Sequence, residues 1–138
     1  MNDFTMSATV DRPYAETVDR VRGLLGDAGF GVLTEIDVAA TLHTKLGVET
    51  TPRVILGACR PELAHQAIEI DDRVATLLPC NVVVAAEDSS RTRVDIFDPG
   101  MMAAFSDAPG LAEVAGDARS RLSGMLAALT ATTEGAQG

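Results

Sequence analysis

Two short, almost wholly apolar runs constrain the fold of this chain more than any other feature. Residues 54–58 and 82–86 consist almost entirely of aliphatic side chains, and polar or turn-forming residues bound both runs. Runs of this length are typical of strands that are covered on both faces. The chain is therefore expected to bury two central strands under other elements.

The flanking segments alternate between strand and helix periodicity. Period-two or apolar patterns predict further strands over 4–10, 30–36 and 91–97, and apolar stripes predict helices over 14–28, 38–46, 61–68 and 108–130. This order predicts an α+β domain in which helices pack on a sheet. We expect one domain over 1–131 and a disordered tail over 132–138, where the residues are small and polar.

Several carboxylates lie just before predicted helices. Asp11, Asp37 and Asp71 are each expected to cap the helix or turn that follows. The pairs Glu35/Asp37 and Asp71/Asp72 are also candidates for acid–base chemistry, but capping accounts for one member of each pair. The sequence contains no constellation that identifies a catalytic site.

The charge balance excludes several classes of partner. The chain has 20 acidic and 11 basic residues, a net charge of -9, few aromatic residues and no Trp. Binding to nucleic acid or to an anionic membrane requires clustered basic residues, which are absent here. The N-terminus has no signal-peptide pattern, and no apolar run is long enough to span a membrane. We expect a cytoplasmic protein whose cysteines are reduced thiols.

Cys59 is the first candidate for a site. It ends the first apolar run, next to Arg60 and just before Pro61, which is expected to begin a helix. A helix N-terminus and a neighbouring cation both stabilise a thiolate, so one hypothesis is a nucleophilic or redox cysteine with a lowered pKa. The alternative is a small apolar residue that fills space at the end of a strand.

Cys80 opens the second apolar run, directly after Pro79. If the two runs are antiparallel neighbours, Cys59 and Cys80 lie at the same edge of the sheet and could form a redox pair. If the two strands are parallel, the cysteines lie at opposite ends. Either arrangement is compatible with the residues alone.

No metal or cofactor is predicted. His43 and His65 are the only histidines, and neither forms a paired metal-ligand spacing with the other or with Cys59 and Cys80. The glycines near residue 30 precede a strand and lack the third glycine of a dinucleotide-binding loop.

A flexible apolar segment follows the last predicted strand. Met101, Met102 and Phe105 suit either the mouth of a ligand pocket or a dimer seam. We assign these three residues, together with Arg60 and Pro79, to a candidate binding site.

Three segments resemble the domain of unknown function family 302. They are residues 29–37 (GFGVLTEID), 55–61 (ILGACRP) and 77–84 (LLPCNVVV), and the resemblance extends over about residues 8–105. It implies a small α+β fold with a mainly antiparallel sheet, related to the TATA-binding-protein-like architecture, and a homodimer. It implies no established activity. The family usually has Asn where this chain has Arg60.

The preferred interpretation is a small cytoplasmic module without catalytic activity, which forms a homodimer and binds a small apolar ligand between helices and sheet. One alternative is a thiol-dependent enzyme or redox sensor that uses Cys59 and Cys80, and another is a purely structural or interaction module whose helix stripe docks a partner. An apolar pocket with buried thiols would favour the first interpretation, and exposed thiols in a pocket would favour the second.

Overall fold

The computed structural model describes residues 3–135 and contains five strands and five α-helices within that range. The strands are β1 (Thr5–Val10), β2 (Gly31–Asp37), β3 (Arg53–Cys59), β4 (Cys80–Ala86) and β5 (Thr92–Phe97). The helices are α1 (Tyr14–Asp27), α2 (Val38–Leu46), α3 (Pro61–Ile70), α4 (Met102–Phe105) and α5 (Leu111–Gly135). Short 3-10 helices, Asp72–Leu77 and Pro99–Met101, precede β4 and α4.

The strands form one antiparallel sheet in the order β1-β5-β4-β3-β2. The predicted α+β class with a mainly antiparallel sheet is therefore confirmed. The two apolar runs occupy β3 and β4, which lie side by side in the sheet interior, with Leu56 opposite Val82. The connection through α3 brings the chain back to the same end of the sheet, so β4 begins beside the last residues of β3.

The main core lies between one face of the sheet and helices α1 and α5. Alternate residues of the strands point to this face, as period-two patterns require, and the stripes of the two helices cover them. The fully buried residues include Val21 and Leu25 of α1 and Leu122 and Leu129 of α5. The opposite face is less covered, since Ile55 there is only half-buried.

A smaller core lies at the end of the sheet where β3 ends and β4 begins. Ala67, Val74, Met102, Leu111 and Ala115 are its buried members. They come from α3, the 3-10 helix that follows it, α4 and α5. This cluster sets the space between α3 and α5, which is where the candidate site is found.

The helix ends mostly follow the predicted capping pattern. An oxygen of the Asp37 side chain accepts a hydrogen bond from the Ala40 amide at 2.9 Å, and Gly47 closes α2 with a φ of 71°. Asp71 caps the 3-10 helix by accepting from the Arg73 amide at 3.1 Å.

The prediction that Asp11 caps α1 is wrong. Pro13 occupies the capping position, and no side chain of residues 3–135 caps this end of the helix. Asp11 lies further out and pairs with Arg91 at 3.5 Å. The proline fixes an extended backbone at residue 13, so the helix begins after it and Asp11 is too far away to cap.

The C-terminal helix is longer than the sequence pattern predicts. Its backbone continues to Gly135, into the tail predicted to be disordered, and the last three residues of that tail, 136–138, lie outside the described residues. No helix in the described part of the chain is long and apolar enough to cross a membrane.

Candidate functional site

A mainly apolar cleft lies where α3, α5 and one end of the sheet meet. We call it the alanine cleft; it is lined by Phe30, Ala58, Cys59, Arg60, Leu63, Ala64, Ala67, Leu78, Cys80, Met102, Val114, Ala115 and Ala118. Its total space, including the open mouth, is about 370 Å³, of which about 30 Å³ has room for the centre of a water molecule.

Small side chains explain why the cleft exists. Ala64 and Ala67 are three residues apart on α3, and Ala115 and Ala118 are three apart on α5, so each pair lies on one face of its helix. Ala58, at the end of β3, forms part of the floor. Methyl groups at these positions leave space that larger side chains would fill.

Both cysteines line the cleft. Ala58 lies opposite Cys80 in the antiparallel register, and Cys59 is the next residue along β3. The two cysteines therefore lie at the same end of the sheet, which is the arrangement expected if the two apolar runs are antiparallel neighbours. Both are free thiols. Since successive side chains of a regular strand point to opposite faces, this register does not favour a direct bond between them.

Burial makes both thiols harder to ionise. It raises the pKa of Cys80 to about 11, with a smaller contribution from the neighbouring Cys59, and it raises the pKa of Cys59 as well. The sequence hypothesis expects a lowered pKa at Cys59, and the direction here is the opposite. Loss of solvation at the strand end exceeds any stabilisation of the thiolate by Arg60 and the start of α3.

Among the described residues that line the cleft, Arg60 is the only charged one. Its guanidinium packs against Gly29, where a β-carbon would lie 2.0 Å from Nη1. Nη2 is 3.9 Å from a carboxylate oxygen of Glu62, whose side chain is largely exposed. The Nε atom is buried and has no hydrogen-bond partner among the described residues.

The other residues assigned to a binding site do not converge on the cleft. Met102 lines it, but Phe105 is exposed beside a second groove near Asp71, which Met102 also borders. Pro79 borders a third groove and packs over Gly57, where a β-carbon would lie 2.8 Å from its Cγ. Met101 lies half-buried in a 3-10 helix and lines none of these three depressions.

The polar candidates lie elsewhere on the surface. Both histidines are exposed. Nε2 of His43 lies 3.8 Å from a carboxylate oxygen of Glu49, and Nε2 of His65 lies 3.4 Å from a carboxylate oxygen of Glu69. Glu35 pairs with Arg22. Within the described residues, no group of three His, Cys, Asp or Glu side chains is placed to hold a metal ion.

Sequence reasoning missed the residues that shape the cleft. The four helical alanines belong to the apolar stripes of α3 and α5, where they look like ordinary core residues. The available signal was that both stripes place alanines three residues apart, which predicts that the two helices carry small side chains at facing positions. Phe30 and Leu78 come from loops and carry no such signal.

The fold and this cleft describe a small α+β domain with an apolar site at one end of its sheet. The model of the family described as "Domain of unknown function DUF302" matches residues 6–129, and the chain belongs to that family. The crystal structure of an uncharacterised conserved DUF302 protein from Bacillus stearothermophilus is similar, with 32% sequence identity and a TM-score of 0.82. The match covers 91% of this chain and 97% of that one. No curated protein matches the chain.

Proposed function

We propose that this protein binds a small, largely apolar ligand in the alanine cleft. The observation that carries the proposal is the composition of the lining: within the described part of the chain, Arg60 is its only charged group, and most of the other side chains are alkyl or aromatic. Ligand sites typically combine such a lining with a few polar groups.

The shape of the cleft limits the size of the ligand. The space of about 370 Å³ includes open solvent at the mouth, so it is larger than the volume that a bound ligand would occupy. The part that admits a water centre is only about 30 Å³, so a ligand of more than a few atoms requires side chains to move. Met102 borders the cleft, and the flexible thioether side chain allows such an adjustment.

Calorimetric titration with hexan-1-ol tests the proposal. The wild-type protein should bind the alcohol, and Ala64→Leu should abolish binding because the larger side chain fills the cleft. Ala112→Leu makes the same change at an exposed position of the neighbouring helix and should leave binding intact. Wild-type protein that binds no alcohol, or equal binding by the two variants, would contradict the proposal.

We infer a second function, the formation of a homodimer, from residues 31–50. This stretch contains all of β2 and α2, and none of its residues is buried. Leu33, Ile36, Leu46 and Val48 are exposed there, and we call these four residues the edge patch. β2 is also an edge strand, so one side of its backbone has no neighbouring strand in the sheet.

A second copy of the chain suits the edge patch better than a strongly charged partner. The stretch carries both signs of charge, with Lys45 among Glu35, Asp37 and Glu49, so two copies related by a twofold axis can place opposite charges against each other. A standard interface contains about 20 residues and about 800 Å² on each partner, and residues 31–50 form a stretch of that size.

Sedimentation equilibrium tests the dimer. The wild-type protein should have twice the chain mass of 14.4 kDa, and Leu46→Lys should shift it to the monomer because the charge would be buried in the interface. Phe4→Lys places the same charge at another exposed apolar residue, outside the edge patch, and should leave the dimer intact. A monomeric wild-type protein would contradict the inference.

A further inference from the structure

An open groove runs along the 3-10 helix Asp72–Leu77. It consists of the second and third grooves described above, which adjoin each other because Thr76 and Leu77 line both. Phe105 borders one part of it and Phe97 borders the other. We call this surface the Leu77 groove. Because both parts are open to solvent, it suits a segment of polypeptide better than a small enclosed ligand.

Phe105 is the most exposed apolar residue of this groove. Its side chain is 63% exposed, although the chain has only four Phe residues and no Trp. It ends α4, and Met102 at the start of the same short helix is buried, so an anchored segment holds the ring at the surface. Phe is enriched at protein interfaces, and a partner that covered this ring would remove a large apolar area from water.

One rim of the Leu77 groove carries negative charge that no cation balances. Among the described residues that line the groove, Arg73 is the only cation, and its guanidinium donates hydrogen bonds of 3.1 and 2.9 Å to the Asp71 carboxylate. Asp72 lies between these two residues and is exposed, and Asp107 is exposed next to another residue of the lining. Neither Asp72 nor Asp107 forms an ion pair within the described part of the chain.

We propose that the Leu77 groove binds a short segment of another protein in which apolar side chains are flanked by Lys or Arg. The apolar side chains pack against Phe105 and Leu77, and the cations face Asp72 and Asp107. A basic segment matches this rim better than a second copy does, since the chain has a net charge of -9. This interaction is independent of the alanine cleft and of the edge patch.

Fluorescence anisotropy with a labelled amphipathic helix made only of leucine and lysine tests the proposal. The wild-type protein should bind this peptide and should not bind the same peptide with glutamate in place of every lysine. Phe105→Ser should weaken binding of the lysine peptide at least about tenfold, because exposed aromatic anchors carry much of the binding energy of an interface. Phe4→Ser makes the same change at a residue that is 56% exposed and lines neither part of the groove, and it should leave binding intact.

A second pair of variants tests the charged rim. Asp72→Asn combined with Asp107→Asn should weaken binding of the lysine peptide by about fivefold and reduce its dependence on salt. Asp19→Asn combined with Asp27→Asn changes the net charge equally at two exposed positions of α1 and should have no such effect.

Three results would overturn the proposal. They are failure of the wild-type protein to bind the lysine peptide, equal binding by the two phenylalanine variants, and equal binding by the two double variants. Sedimentation equilibrium of the unlabelled proteins separates the remaining occupant. If Phe105→Ser lowers the mass of the wild-type assembly and Phe4→Ser does not, a second copy occupies the groove, which also contradicts the proposal.

Discussion

At the scale of single residues, burial controls the chemistry of the two cysteines. Cys80 lies in the floor of the alanine cleft with little exposure, and Cys59 is half-buried at the end of β3. Loss of solvation disfavours the thiolate in both cases. The same property that makes these residues suitable walls for an apolar ligand makes them poor nucleophiles at neutral pH.

Alkylation by iodoacetamide, followed by mass spectrometry across pH, should show this directly. Both cysteines should react more slowly than a free thiol at pH 7, and Cys80 should be the slower because its pKa is about 11. A cysteine that reacts rapidly and titrates below about 8.5 would instead support the thiol-dependent interpretation.

The raised pKa of Cys80 also predicts how stability depends on pH. A thiol whose pKa is higher in the folded state contributes stability below its unfolded pKa, and this contribution is lost as the pH rises toward about 11. The free energy of unfolding should fall by no more than about 3 kcal/mol, the equivalent of the difference between the folded and unfolded pKa values of Cys80. Urea unfolding of the wild-type protein and Cys80→Ala should show a steeper alkaline decline for the wild type. Parallel declines would contradict the burial of this thiol.

At the scale of secondary-structure elements, Asp71 joins the segments that enclose the smaller core. Its carboxylate caps the 3-10 helix after α3, pairs with Arg73 at 2.9 Å and accepts a hydrogen bond from the hydroxyl of Ser106, which follows α4. These contacts hold the pKa of Asp71 well below its usual range. The carboxylate thus connects the chain before β4 to the chain before α5.

Asp71→Asn should therefore destabilise the protein at neutral pH. Because the pKa of Asp71 is lowered by folding, its contribution is present above the unfolded value of about 3.9 and is lost as the pH falls below it. The difference in urea midpoint between wild type and variant should be clear at pH 7 and shrink in acid. Asp72→Asn, at the exposed neighbouring position, is the control and should have little effect. A difference that is independent of pH would contradict this role of the charge.

The elements themselves could largely be predicted from the sequence. Apolar patterns identified all five strands: β1 and β5 alternate between apolar and polar residues, and β3 and β4 are short apolar runs whose inward-facing residues are buried. β2 was found although almost all of it is exposed. The end of α5 was missed, since small and polar residues such as Thr132 give no helical stripe.

At the scale of the whole molecule, the site depends on contacts between elements that no local pattern encodes. The alanine cleft requires that α3 and α5 cross near the ends of β3 and β4, and a residue such as Ala115 has the same local sequence signal whether it faces a partner or a cavity. The sequence placed Cys59, Arg60 and Cys80 at strand boundaries, but the residues alone left open whether Cys80 lies at the same end of the sheet as the other two. It also grouped with them Met101 and Phe105, which the fold directs elsewhere.

The fold also separates the two proposed functions. The alanine cleft lies between α3 and α5, whereas the edge patch lies on β2 and α2. No residue belongs to both sets. Variants of one site can therefore be interpreted without disturbing the other.

The central claim is that the alanine cleft holds the ligand, and methyl NMR tests it most directly. Five alanines and one methionine line the cleft, namely Ala58, Ala64, Ala67, Ala115, Ala118 and Met102. In protein labelled with 13C at alanine and methionine methyl groups, titration with hexan-1-ol should shift these six resonances together and with one affinity. The exposed methyl group of Ala112 should not move. Shifts scattered over the surface, or none among the six, would contradict the account.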